Sequence, residues 1–148
     1  MKPIFREVNL AHHIGRAIHL IDAHCQEVVG QGKKYNPDID YLCMGSNTGL
    51  LHTFDIEDND KVVGYAIFMI AKDFITSERS ASNVAIYVSP EYRGRTAVRF
   101  MQYTEMMLLS KGIKQINFHV PPSSMAEKCL APVSYTHLRA HETSQDLV

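Results

Sequence analysis

Tryptophan is absent from this chain of 148 residues, and cysteine is scarce. The three cysteines, Cys25, Cys43 and Cys129, are odd in number and widely spaced. This pattern excludes a disulfide framework, and no pair of cysteines has the short spacing of a structural metal site. We therefore expect reduced thiols and a cytoplasmic protein without a metal ion.

The chain also lacks an excess of charge of one sign, and it lacks long apolar runs. The formal net charge is −1, so no overall field favours nucleic acid or a membrane surface as a partner. The longest apolar stretch, residues 62–70 with Gly64 inside it, is too short to cross a bilayer. Charged side chains precede any apolar segment at the start of the chain, so we expect no secretory signal. The 45% of hydrophobic residues suffices for the core of a single domain.

The end of the chain has an unusual composition. Residues 133–143, Val-Ser-Tyr-Thr-His-Leu-Arg-Ala-His-Glu-Thr, resemble the translation of a transposon-based sequencing adapter. Residues 144–148 fit translated index bases and the next adapter segment in the same frame. We therefore expect a non-native tail at residues 133–148, joined to a truncated reading frame, and assign the domain to residues 1–132.

Hydrophobic periodicity predicts elements in the order β-α-α-β-β-β-α-β-α. The predicted strands cover residues 3–8, 50–56, 61–71, 84–88 and 114–120. The predicted helices cover residues 11–29, 37–44 and 95–111, and a fourth helix is predicted to begin at residue 125. The first helix would bury one stripe, formed by Ile14, Ala17, Ile18, Ile21 and Cys25. The second would start from Asn36 and Pro37, and residues 57–60 would turn a hairpin.

Residues 84–103 combine three pieces. The apolar run Val84-Ala-Ile-Tyr-Val is typical of a buried strand, and the segment with Pro90 ends it. From Arg95 the spacing becomes helical, with Gly112 at the expected C-terminal end. The helical face would consist of Ala97, Met101, Thr104 and Leu108. Free backbone N–H groups at the start of this helix, beside two arginines, suit a phosphate.

The sequence Ile-Tyr-Val-Ser-Pro-Glu-Tyr-Arg-Gly-Arg at residues 86–95 resembles the acetyl-CoA-binding motif of the GNAT superfamily of N-acetyltransferases. The resemblance implies that the strand backbone at Tyr87 and Val88 pairs with the pantetheine arm. It also implies that loop amides hold the pyrophosphate, and this loop comprises Arg93, Gly94, Arg95, Thr96, Ala97 and Val98. Thr96 and Val98 stand where the motif has glycine and glycine or alanine.

The order of elements and the segment Lys61-Val-Val-Gly-Tyr also resemble this superfamily. The resemblance implies an α/β (α+β) fold, with a mixed, mostly antiparallel sheet flanked by helices and its final strands beyond this chain. The implied reaction is direct attack of an amine on the thioester of acetyl-CoA, which is a cosubstrate. The acceptor, a small molecule or a protein, and the oligomeric state stay open.

Such a reaction needs a proton acceptor, and no carboxylate lies in residues 82–88. His119 is the candidate for this catalytic role, because histidine titrates near neutral pH; alternatively it satisfies a local hydrogen bond. The tyrosine that serves many members as general acid would align with Leu130, and Tyr135 belongs to the expected tail. The remaining histidines of interest are predicted to lie on a solvated helix face; they are His12, His13, His19 and His24.

Two alternatives compete with an enzyme. One is a non-catalytic GNAT-fold module that binds CoA weakly or not at all and acts through protein contacts, which Thr96 and Val98 favour. The other is a plain α/β domain whose Arg-Gly-Arg turn binds no ligand.

Overall fold

The computed structural model describes residues 2–29 and 38–118. These residues form a five-stranded sheet whose strands lie in the order of the sequence. The strands are β1 (Ile4–Val8), β2 (Leu51–Asp58), β3 (Lys61–Lys72), β4 (Arg79–Val88) and β5 (Ile113–Asn117). The first three pairings are antiparallel and the pairing of β4 with β5 is parallel. The predicted mixed, mostly antiparallel sheet is confirmed.

Three α-helices accompany the sheet within the described residues: α1 (Leu10–His24), α2 (Ile39–Asn47) and α3 (Arg95–Ser110). A π-helical turn, Cys25–Val29, extends α1. Asn9 caps α1 by accepting from the amide of Ala11, and Asp38 caps α2 by accepting from the amide of Tyr41. The cap predicted at Asn36 is therefore wrong by two residues, and α2 continues past the predicted end at residue 44.

The β2–β3 hairpin turns at Asn59 and Asp60, as its composition predicted. Both residues have positive φ, 54° and 61°, which is the backbone of a type I′ turn. This turn matches the right-handed twist of the flanking strands, and asparagine and aspartate tolerate its conformation better than other side chains.

The main hydrophobic core lies between one face of the sheet and α3. Its largest fully buried members are Phe54, Phe68, Phe100 and Phe118. The predicted face of α3 is confirmed, since Ala97, Met101, Thr104 and Leu108 are all buried. Each large side chain removed from water here contributes about 1.5–3 kcal/mol. The predicted helix end is also observed, because Gly112 follows α3 with φ of 85°.

The opposite face of the sheet packs against α1, through a second cluster that includes Ala17, Leu20, Ile21, Tyr65 and Tyr87. The stripe predicted for α1 is partly wrong. Ile18 is half exposed and Ile14 only partly buried, whereas Leu10 and His13 are buried instead. His13 pairs there with a buried carboxylate on β2, a partner that the helical period does not reveal.

The strand predicted as buried at residues 84–88 is only partly so. Val84 is half exposed, because β5 pairs with β4 only from Arg79 to Ser82. Cys43 carries a free thiol, Cys25 is buried, and Cys129 lies outside the described residues. So do His119, the helix predicted from residue 125 and the tail at residues 133–148.

Candidate active site

The end of β4 is anchored to the neighbouring hairpin. The amide of Ser89 donates to the carbonyl of Val63 at 2.9 Å, and the chain then turns through the 3₁₀ segment Pro90–Tyr92. The hydroxyl of Tyr92 donates to Asp58 at 2.6 Å. These contacts hold the segment between β4 and α3 in a defined position.

Gly94 lets α3 begin directly after this turn. Its φ of 129° and ψ of −129° lie in a region that only glycine populates readily. A Cβ added at Gly94 would meet no atom within 4 Å. Glycine is therefore required here because of the backbone conformation and not because space is lacking.

The first amides of α3 are open. The amide of Val98 donates to the carbonyl of Gly94 at 3.0 Å, so the amides of residues 95–97 precede the helical hydrogen bonds. Nothing in the described part of the chain accepts from them. Arg95 and Arg99 are exposed beside them. Because the helix dipole is positive at this end, the loop suits an anion.

The two positions that depart from the motif are accommodated differently. Val98 packs against the main hydrophobic core, and Thr96 is partly buried. Ala97, between them, is buried. The β-branched side chain of Val98 therefore contributes to packing.

Arg93 links the end of β4 to the extension of α1. Its Nε donates to the carbonyl of Val88 at 2.7 Å, and its terminal nitrogen pairs with Glu27 at 2.9 Å. The guanidinium lies 5.3 Å from the centroid of the Tyr87 ring, whose hydroxyl also donates to Glu27. The hydrogen bond from Arg93 lowers the pKa of Glu27, and burial, followed by that carboxylate, raises the pKa of Tyr87.

The sheet divides beside this loop. Beyond Ser82, no strand within the described residues pairs with the free side of β4. Tyr87 and Val88 lie in that half of the strand, which leads directly into the loop that opens α3. An extended ligand can pair with the backbone of such an edge.

A cavity of about 200 Å³ lies between α1 and this part of the sheet. Its lining side chains come from α1 and its extension, from β3 and from β4: His13, Ile21, His24, Cys25, Tyr65, Ile67, Val84 and Ala85. The cavity therefore reaches the same half of β4 that leads into the loop.

Two histidines predicted to be solvated line this cavity instead. His13 is fully buried, and its Nδ1 lies 2.7 Å from Oδ1 of Asp55. His24 lies 2.6 Å from the hydroxyl of Tyr65 and stacks on Tyr87 with ring centroids 5.0 Å apart. Burial lowers the pKa of His24, which favours its neutral form at pH 7. His12 and His19 are exposed, as predicted.

No local pattern indicates these roles, because the partners are remote in the chain; Asp55 is 42 residues from His13. Among the residues that the structure covers, no three His, Cys, Asp or Glu side chains are grouped as metal ligands. None of the helices described is long and apolar enough to span a bilayer.

Structural comparison places the fold among solved acetyltransferases. An aminoglycoside acetyltransferase from an uncultured soil metagenomic sample, solved with sisomicin, has a TM-score of 0.74 at 14% identity, covering 90% of this chain and 88% of that one. A ribosomal-protein-alanine N-acetyltransferase from Brucella melitensis biovar Abortus 2308 has a TM-score of 0.66 at 15% identity, covering 88% and 89%.

A predicted acetyltransferase from Clostridium acetobutylicum, solved with acetyl-CoA, has a TM-score of 0.63 at 17% identity, covering 91% of this chain and 88% of that one. At these identities the likeness shows the fold alone. No curated protein matches the sequence. The family model described as "Acetyltransferase (GNAT) family" matches residues 17–127, which include β2 to β5 and the whole loop. The chain therefore belongs to the GNAT family of acetyltransferases.

Proposed function

We propose that this protein transfers the acetyl group of acetyl-CoA to an amine by direct attack. The observation that carries the proposal is the set of open amides at residues 95–97, at the positive end of α3 and beside two exposed arginines. A diphosphate is the group on acetyl-CoA that such a site would bind. Membership of the GNAT family supports this choice of cosubstrate.

The free side of β4 would hold the pantetheine arm. An extended chain that pairs with Tyr87 and Val88 would bring its thioester against the strand backbone. A backbone N–H there would stabilise the negative charge that develops on the thioester oxygen during attack. Arg93 then has a positioning role, because it fixes the carbonyl of Val88 at the end of this strand.

The acceptor would be a primary amine. The neighbours named as acting on aminoglycosides and on the alanine of ribosomal proteins support this class. We place the reaction in the cytoplasm, since the free thiol of Cys43 fits a reducing compartment.

Calorimetric titration tests the diphosphate site from the ligand side. Acetyl-CoA should bind saturably, whereas S-acetylpantetheine, which lacks the diphosphate, should bind at least about tenfold more weakly, equivalent to about 1.4 kcal/mol. Equal affinities would contradict the role of the α3 amides. No saturable binding of either compound would contradict the proposed cosubstrate.

Release of free CoA thiol then tests turnover with three amines: sisomicin, a peptide that begins with alanine, and benzylamine. Thiol release that depends on the amine supports the enzyme. Saturable binding of acetyl-CoA without turnover of any amine would favour the non-catalytic module instead.

A further inference from the structure

The cavity between α1 and strands β3 and β4 contains a histidine that no structural contact fully explains. Both His13 and Asp55 have side-chain exposures of 0%, and they are joined at 2.7 Å. Because a carboxylate only accepts, the proton of the neutral imidazole lies on Nδ1, and Nε2 presents a lone pair. Within the described residues neither His13 Nε2 nor Asp55 Oδ2 has a partner.

An unpaired polar atom in the interior costs about 1–3 kcal/mol. Buried polar groups therefore normally have partners, and an orphaned one needs a reason. At His13 the missing partner is a hydrogen-bond donor, and the ring lines a cavity of about 200 Å³. Nε2 is itself buried, so a donor in this cavity removes the cost when a small movement of the surrounding side chains opens the way to that atom.

The position of the cavity indicates which kind of hydrogen-bond donor would enter it. Val84 and Ala85 of β4 line it, so a group inside it lies against the strand on which we place the thioester. A water molecule takes about 30 Å³ of liquid volume, so the space of about 200 Å³ admits about seven non-hydrogen atoms. It fits an unbranched amine head, with the remainder of the acceptor outside.

We propose that this cavity binds the amine end of the acceptor and that His13, oriented by Asp55, takes its proton. The inference rests on the proposed function and deepens it. It assigns to His13 the role that the sequence assigned to His119. Asp55 is a positioning residue, because it holds the imidazole in the tautomer that accepts at Nε2.

The acceptor arrives as an ammonium ion, and Nε2 of His13 removes one proton, so that the nitrogen lone pair is free. The nitrogen attacks the thioester carbon, the C–N bond forms, the C–S bond breaks, and the second amine proton passes to the leaving thiolate of CoA. The imidazolium beside the Asp55 carboxylate then releases its proton to water. No electron transfer and no further reactant is involved.

The groups that face His13 come from three elements. Asp55 on β2 bonds its Nδ1, the ring of Tyr65 on β3 packs edge-on at 4.9 Å, and His24 and Cys25 on α1 and its extension share the cavity. Burial lowers the pKa of His24, which favours its neutral form. The carboxyl group of Asp55 is the acidic side chain among these neighbours.

The test uses two amines of the same shape and different basicity. Benzylamine is protonated at pH 7, and phenylhydrazine is already neutral. If His13 removes the proton, His13→Gln should lower kcat/KM for benzylamine by about 100-fold or more and for phenylhydrazine by only a few-fold. The defect with benzylamine should also shrink as pH rises toward the pKa of the amine. Asp55→Asn, which keeps the shape but favours the wrong tautomer, should show the same pattern.

His12→Gln is the matched control on the same helix, since His12 is exposed, and it should leave both rates unchanged. Saturable binding of acetyl-CoA to each variant shows that it is folded, and if His13→Gln does not fold, the isosteric Asp55→Asn decides.

An equal loss with both amines at every pH would overturn the inference, as would the selective defect appearing in His119→Gln instead. A wild-type enzyme that acetylates sisomicin or the peptide but neither probe also overturns it, and leaves the proposed function standing. Failure of the wild-type protein to bind acetyl-CoA would contradict the proposed function itself.

Discussion

Gly94 occupies a backbone region that residues with a Cβ avoid, and the position of the open amides depends on it. Gly15 in the middle of α1 provides the opposite case, because its backbone is helical and a Cβ there meets no atom within 4 Å. Gly94 is thus required for its backbone conformation, whereas the position of Gly15 would accept a residue with a Cβ.

Gly94→Ala should lower the free energy of unfolding by about 1–3 kcal/mol, because alanine is strained at this φ and ψ. It should also weaken acetyl-CoA binding, since the amides would be re-aimed. Gly15→Ala should raise stability by up to about 1 kcal/mol through helix propensity alone. Urea unfolding and calorimetric titration measure both effects, and equal stability of the two variants would contradict the assigned role of Gly94.

At the scale of the element, β3 approaches its neighbours most closely at Gly64. A Cβ built there would lie 2.7 Å from Cδ1 of Ile56 and 3.2 Å from the carbonyl of Tyr87. Ile56 is fully buried, and the Tyr87 carbonyl belongs to the backbone of β4, so neither yields easily. The glycine thus permits a tight β2–β3–β4 ladder beside the site.

Gly64→Ala should therefore destabilise the protein by about 1–3 kcal/mol through overpacking. Gly45→Ala in α2 is the control. There the nearest atom, at 2.9 Å, is the flexible end of the Leu51 side chain, and helix propensity offsets the contact. Its unfolding midpoint should stay close to that of wild type. A Gly64→Ala protein as stable as Gly45→Ala would argue against the close approach.

The β2–β3 turn offers a gain in stability. Asp60 has a φ of 61° in the second position of a type I′ turn, where glycine is the preferred residue. Asp60→Gly should raise the free energy of unfolding by a few tenths to about 1 kcal/mol, and the carbonyl that accepts from Arg16 is retained. Ser77→Gly, at a positive φ of 63° in the β3–β4 connection, is a comparison that should behave alike. Thermal unfolding that shows a loss in both would contradict the turn assignment.

At the scale of the whole molecule, buried ionisable groups make stability depend on pH. Burial opposes ionisation of Glu57, but hydrogen bonds and charges from Arg16 and Arg6 outweigh it and hold its pKa below the usual 4.5. Burial lowers the pKa of His24 from the usual 6.5. Both groups bind protons more weakly in the folded state than in the unfolded state, so both stabilise the fold above their usual pKa values.

The free energy of unfolding should therefore begin to decline as pH falls below about 6.5 and decline more steeply below about 4.5. His24→Gln should remove part of the first decline, and Glu57→Gln part of the second. Urea unfolding across this range measures both. A stability that is unchanged between neutral pH and pH 5 in wild type would contradict the role given to His24.

Local pattern determined the order of strands and helices, the buried face of α3, the turn at Asn59 and Asp60, and the family. These features depend on residues close together in the chain, whose spacing sets which side chains share a face. The loop that opens α3 belongs to this group, because its motif is contiguous.

Only the tertiary structure decided which face of α1 is buried and which groups meet in the cavity. Asp55 reaches His13 across 42 residues, and Glu27 meets Arg93 across 66. A helical period indicates an apolar stripe but contains no information about a buried carboxylate on a remote strand. Val84 likewise is half exposed because β5 diverges from β4, a consequence of sheet geometry and not of its own apolar character.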